Sequence, residues 1–240
     1  MKLTVLSSCS AGNCYVIQDE EEALVLEAGV ALEKAKRALG FNVSKVAGCI
    51  ISHSHGDHSV KASDFERAFP VYANADVITK RGLKFTKEIK PGVGFKVGNF
   101  KVFPFDGAHD VPVLGFVINH PKIGTLLFLT DSFLCEYTFS GLNQVLIECN
   151  YYDEGLRKSI EKGLHPKVAE RVLTSHMELN TCVDVLKKHD LSKVYNIVLL
   201  HLSERNSDEQ LFKETIARAT GKPIFIAKPG LIVEMNNSPY

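Results

Sequence analysis

The sequence predicts an α/β protein of the α+β kind, an αββα sandwich of two mixed β-sheets, each flanked by helices. Short apolar runs of strand length recur along the whole chain, and segments of helical periodicity lie between them. No Pro/Ser-rich linker, low-complexity tract or internal repeat divides the chain. At 240 residues and 45% hydrophobic content it can bury a core without disulfides, so a single domain over residues 1–240 is expected.

The elements follow in order. Strands are expected at 2–6, 14–19 and 22–27, the last two joined by the polar turn Asp19-Glu20-Glu21, and then a helix over Ala31–Leu39 that stops at Gly40. The buried run VAGCIIS (46–52) delivers the chain into His53. A helix over Ala62–Phe69 ends before Pro70, and a short strand VYA (71–73) follows. Four further strands are read at NFKVFPF (99–105), VLGFVIN (113–119), TLLFLT (125–130) and QVLIEC (144–149), with a hairpin turn at His120-Pro121-Lys122. The C-terminal third turns helical, with Thr181-x-x-Asp184 and Ser207-x-x-Gln210 as expected capping boxes, and YNIVLL, PIFIA and LIVEM close the chain as strands.

Lys plus Arg balance Asp plus Glu at 28 each, so no global positive field draws the chain onto long nucleic acid; a local basic patch stays open. The six cysteines form no CxxC pair, which fits free thiols in a reducing, cytoplasmic compartment. Cys9 and Cys14 are the only close pair, and neither has a second Cys or His at zinc-knuckle spacing. No run is long and apolar enough for a membrane span, and no membrane partner is expected.

The chemistry concentrates in His53-Ser-His55-Gly-Asp57-His58, directly after a strand. In extended backbone 53, 55 and 57 share one side, because the side-chain period is two, and Gly56 then lets the chain bend. Imidazoles and a carboxylate gathered in this way suit a borderline divalent metal such as zinc. His109, Asp131 and His201 each follow an apolar strand, where loops build sites over a rigid scaffold.

The pattern HxHxDH, then His, Asp and His, resembles the metallo-β-lactamase superfamily, with flanking similarity across nearly the whole chain. The resemblance implies two zinc ions, or manganese or another divalent metal. His53, His55 and His109 would hold the first, Asp57, His58 and His201 the second, and Asp131 would bridge them. Where the family usually has Asp before its Ala/Gly turn, this chain has Glu27-Ala28-Gly29; Glu27 is either a carboxylate orienting a ligand or an acidic strand end facing solvent. Asp131 stands where the true β-lactamases with a second zinc commonly have Cys, which turns the expectation away from antibiotic hydrolysis.

His176 lies where phosphodiesterase branches resembling ribonuclease Z and the phosphonate-pathway cyclic phosphodiesterase carry a catalytic histidine. It is expected to act as general acid to the departing alkoxide, with Asp57 as ligand and catalytic orienter; the alternative for His176 is a surface residue beside a helix. His120, His165 and His189 are expected at the surface. Ser8, Ser10 and Asn13 form a polar loop for substrate hydrogen bonding or for turn chemistry.

LSSCSAGNCYVI, ISHSHGDHS and FLTDSFLCEYTFSGLNQVLIECNYYDE look like a group found in bacteria and their phages. That group includes anti-Pycsar phosphodiesterases, which open cyclic CMP and cyclic UMP and suggest a homodimer in the bacterial or host cytoplasm, and exonucleases linked to a cell-wall regulatory system. Compactness and zero net charge favour the small cyclic nucleotide over a DNA or RNA nuclease function.

Overall fold

The computed structural model describes residues 1–237. Its first half runs β1 (Lys2–Cys9), β2 (Gly12–Gln18), β3 (Ala23–Leu26), α1 (Leu32–Ala38), β4 (Val46–Ile50), α2 (Gly56–Ser59), α3 (Ala62–Glu66), β5 (Val71–Ala73), α4 (Ala75–Arg81) and β6 (Lys87–Glu88). The chain continues as β7 (Phe95–Val97), β8 (Phe100–Asp106), β9 (Leu114–His120), β10 (Gly124–Leu129), β11 (Gln144–Glu148), α5 (Asp153–Glu161), α6 (Pro166–Ser175) and α7 (Leu179–Lys188). It closes with β12 (Asn196–Leu200), α8 (Glu209–Thr220), β13 (Ile224–Ile226) and β14 (Ile232–Glu234).

Two seven-stranded mixed sheets result, ordered β14-β1-β2-β3-β4-β5-β6 and β13-β12-β11-β10-β9-β8-β7. Both follow one pairing rule. From β14 to β3, and from β7 to β10, neighbours are antiparallel; beyond β3 and β10 they are parallel. The sequence carries no repeat, yet its two sheets are wired alike.

Strand alternation assigns the layers. Leu3, Val5, Tyr15, Ile17, Leu24 and Leu26 of the first sheet meet Phe100, Val102, Phe116, Phe128, Leu146 and Val198 of the second in the central core. Their outward neighbours Val16, Val25 and Cys49 pack against Ala35, Phe65 and Val77 of the helices on that side. Leu127, Val145, Ile147 and Leu199 pack likewise against Cys182, Leu186, Phe212 and Ile216 of α7 and α8. The expected αββα sandwich is therefore the observed architecture.

Several local expectations need correction. Thr181 lies inside α7, whose N-cap is Glu178: that carboxylate accepts from the Asn180 and Thr181 N–H groups. The cap of α8 is Asp208, which accepts from Leu211 N–H, whereas Ser207 Oγ donates to the Ser203 carbonyl. His120 and His189 are buried, not at the surface. His120 Nε2 lies 3.3 Å from Glu22 Oε2 and its ring packs on Phe100, while His189 Nδ1 donates to the Val185 carbonyl. His165 is exposed as expected and caps α6.

Candidate metal centre and active site

The first sheet presents its ligand-bearing loop beyond the carboxyl end of β4. Glu27 N–H donates to the Ile50 carbonyl, Ala28 N–H to that of His58, and Lys61 N–H to that of Ala28, so the turn after β3 is laced to α2. Gly29 is required for this approach, since a Cβ there would stand 1.6 Å from the Asp57 carbonyl oxygen. Arg81 of α4 holds the other flank, donating to Ser59 Oγ and the Ser54 carbonyl. The second sheet supplies His109 after β8, Asp131 after β10 and His201 after β12.

Glu27, Asp131 and His201 all have positive φ (67°, 44° and 53°). Non-glycine residues adopt this conformation at a cost of about 1–3 kcal/mol each, so packing must impose it. Here it turns each side chain from its strand end toward a common centre.

All seven expected metal ligands converge there. Donor atoms of His53, His55, His109 and Asp131 lie within 4.8 Å of one another, as do those of Asp57, His58, Asp131 and His201. Asp131 spans the two groups: Oδ1 is 3.2 Å from His58 Nε2, and Oδ2 is 3.8 Å from His53 Nε2 and 3.9 Å from His109 Nε2. Asp57 Oδ2 is 3.1 Å from His201 Nε2. No cysteine joins these groups among the described residues.

The donor set fits divalent metal binding. His53 Nε2 is buried with no hydrogen-bond partner, a costly arrangement for a nitrogen that no ion engages. Its other nitrogen contacts Ser52 Oγ at 2.9 Å, and His109 Nδ1 donates to the Ser175 carbonyl at 2.7 Å. These outer contacts leave Nε2 of each ring aimed at the cluster. Burial holds the His53, His55 and His109 rings below the usual imidazole range, so the neutral, ligating form is favoured. Burial would raise Asp57, but the imidazoles of His201 and His58 outweigh it and keep the carboxyl well below its usual range.

Glu27 is fully buried, which excludes the solvent-facing alternative. It accepts from Ser52 N–H, and its Oε2 lies 3.5 Å from His58 Nδ1. Asn13 places Nδ2 3.1 Å from Asp57 Oδ2 and 2.9 Å from His58 Nε2, and Ser8 Oγ accepts from His201 N–H. Ser10 is exposed and touches no ligand, but lines the adjoining cavity.

His176 ends α6, largely buried and stacked on His201 with ring centroids 5.3 Å apart. Its Nδ1 donates to Glu148 Oε1 at 2.6 Å. Glu148 is the functional residue that sequence reasoning missed; its Oε2 also accepts from the Ser132 and Met177 N–H groups. Burial disfavours the imidazolium of His176, but the charge and hydrogen bond of Glu148 prevail, with Asp131 behind, and push it up to about 9. Arg171, five residues earlier in α6, places Nε 3.3 Å from Asp110 Oδ2, while Asp110 Oδ1 lies 3.2 Å from His55 Nε2.

Residues 8–121 match the family model described as the metallo-β-lactamase superfamily. The exodeoxyribonuclease YycJ of Bacillus anthracis is 25% identical over 245 residues, covering 91% of this chain and 88% of its own. Among solved structures, the metallo-β-lactamase fold protein YhfI from Bacillus subtilis aligns with a TM-score of 0.72 at 19% identity, covering 97% of this chain and 99% of its own. The short form of human tRNase Z gives 0.66 at 16% identity, covering 98% and 99%, and a diphosphatase of the PhnP family gives 0.64 at 16%, covering 97% of each. Among the described residues no helix is long and apolar enough to cross a membrane.

Proposed function

We propose, for a chain that carries a metallo-β-lactamase superfamily domain, that it is a metal-dependent phosphodiesterase cleaving a nucleotide phosphodiester. The observation that carries this reading is the His176–Glu148 pair set against the His/Asp cluster. A phosphodiester releases a poor alkoxide leaving group, and a protonated imidazole at the edge of the cluster answers that need. A lactone or thioester hydrolase has less use for it.

His53, His55 and His109 would hold one cation, Asp57, His58 and His201 the other, with Asp131 shared; zinc suits the donors, and manganese is a further candidate. Bound there, the cations would stabilise charge on the phosphoryl oxygens and supply water activated near neutral pH. Glu148 keeps the His176 Nδ1 proton in place, so Nε2 is the nitrogen that delivers a proton to the departing oxygen. Arg171 offers the incoming phosphate a cation in exchange for its partner Asp110.

Two substrates compete. The Bacillus anthracis relative, named an exodeoxyribonuclease, supports the end of a DNA strand and is the more specific support. The balanced net charge supports the second, a cyclic mononucleotide of the cyclic CMP or cyclic UMP type opened as a counter-defence against Pycsar immunity. Side-by-side assays of metal-replete protein on DNA ends, cyclic CMP, cyclic UMP and cyclic AMP separate them. In either case His176→Ala is expected to lower turnover by about 10²–10⁴-fold with metal content near wild type. Because His176 also falls within a grouping of Asp131, Glu148 and His201, loss of bound metal in that variant would make it a ligand and overturn its role as acid.

A further inference from the structure

We infer that the cavity beside His176 is the pocket for the nucleoside on the leaving-group side of the scissile phosphodiester, an inference that rests on the phosphodiesterase reading. The cavity measures about 480 Å³, within the range of small-molecule sites. Three features point to its occupant.

The first is position. His176 belongs both to the cluster and to the cavity wall. A group that protonates the departing oxygen must touch it, so whatever that oxygen carries extends past His176 into this space. For a cyclic mononucleotide that is the substrate's own ribose and base; for a strand it is the nucleotide unit whose sugar oxygen departs from phosphorus.

The second is an unspent polar group. Asn206 lines the cavity at 4% exposure, and its Oδ1 has no hydrogen-bond partner. Its backbone is committed: the N–H donates to Ser203 Oγ and the carbonyl accepts from Tyr152 N–H. The carboxamide is thus held at the wall with its Oδ1 buried and unpaired, and a turn about its soft last torsion is what brings that acceptor to a ligand. A base edge offers the complementary donor.

The third is the balance of the walls. Val168 and Val172 of α6, with Leu164 before it, give an apolar side suited to the face of a base, while Ser10 and Ser203 give a hydroxyl-bearing side. Arg205 and Glu204 both line the cavity and offset each other, so the one remaining charge on its wall is that of His176, which serves the departing oxygen and not a second phosphate.

The test is binding, read apart from turnover. Metal-replete protein is titrated calorimetrically with the nucleoside monophosphates and with inorganic phosphate. The wild type is expected to hold at least one monophosphate about tenfold or more tighter than phosphate. Val172→Trp, which fills the cavity, should erase that margin, and Asn206→Ala should narrow it and level the ranking among bases. Phosphate bound as tightly as every monophosphate, or a margin kept in both variants, overturns the pocket even if the protein cleaves phosphodiesters. A margin abolished by the variants in a protein that cleaves no phosphodiester sinks the phosphodiesterase reading instead. Should Val172→Trp fail to fold, the base ranking of Asn206→Ala decides.

Discussion

Glu148 makes one buried carboxylate serve three donors, the His176 Nδ1–H and the N–H groups of Ser132 and Met177. Glu148→Gln keeps the shape and removes the charge that supports the imidazolium. With the wild-type His176 pushed up to about 9, the proton-donating form persists up to that pH and is lost above it. The alkaline limb of kcat/KM should therefore start near pH 9 and move to lower pH in Glu148→Gln, with the variant losing far more activity at pH 8.5 than at pH 6. An unmoved limb would reduce Glu148 to a structural role. The imidazole cluster was legible because HxHxDH has few structural uses; Glu148 was not, because an acid ending an apolar strand resembles any strand end. Its one sequence clue was a carboxylate closing the apolar run VLI, and only the structure shows that all of QVLIE is buried. His120 was misread for a related reason: its partner Glu22 lies 98 residues away, beyond any local pattern.

Helices α5 and α6 are anchored less firmly than their neighbours. They rest on a satellite cluster of Tyr151, Leu156 and Ala169, whereas α7 sinks Leu179, Cys182, Val183, Val185 and Leu186 into the packing beneath it. Val168 and Leu173 remain about half exposed. Hydrogen exchange should accordingly label α5 and α6 well before α7, and a nucleoside monophosphate should slow exchange in α6 first. Equal protection of α6 and α7 in the free protein would contradict this picture. Strands with long apolar runs were readable from sequence, as were α1 and the turn at Gly40. The N-cap of α7 was not: Glu is an uncommon cap, and Thr181 followed three residues later by Asp184 imitates one. Helix α4, with a single buried residue, gave little periodicity to read.

Across the molecule, the site is a seam. His53, His55, Asp57 and His58 come from the first sheet's loop, and His109, Asp131 and His201 from strand ends of the second. Cations bound there would cross-link the sheets in the folded state only. At a free metal concentration a thousandfold above Kd this adds about 4 kcal/mol, so chelation should lower Tm by about 10 °C for a chain of this size. A melting temperature indifferent to chelator would be incompatible with a bridged pair. The sandwich itself was legible, since alternation and strand count dictate two layers. The shared wiring of its sheets was not, because hydrogen-bond order leaves no mark on composition.

That shared wiring bears on where the polypeptide can be cut and rejoined. Strand β14 lies beside β1, with Met235 N–H donating to the Met1 carbonyl, so the backbone comes back alongside its first strand. Rejoined there and cut in the exposed stretch 90–94, it would read as two tandem lobes of like topology, β7 leading one and β14 the other. Each lobe would bring part of the cation cradle and neither the whole, which makes the protein a natural scaffold for split-reporter and permuted-sensor engineering.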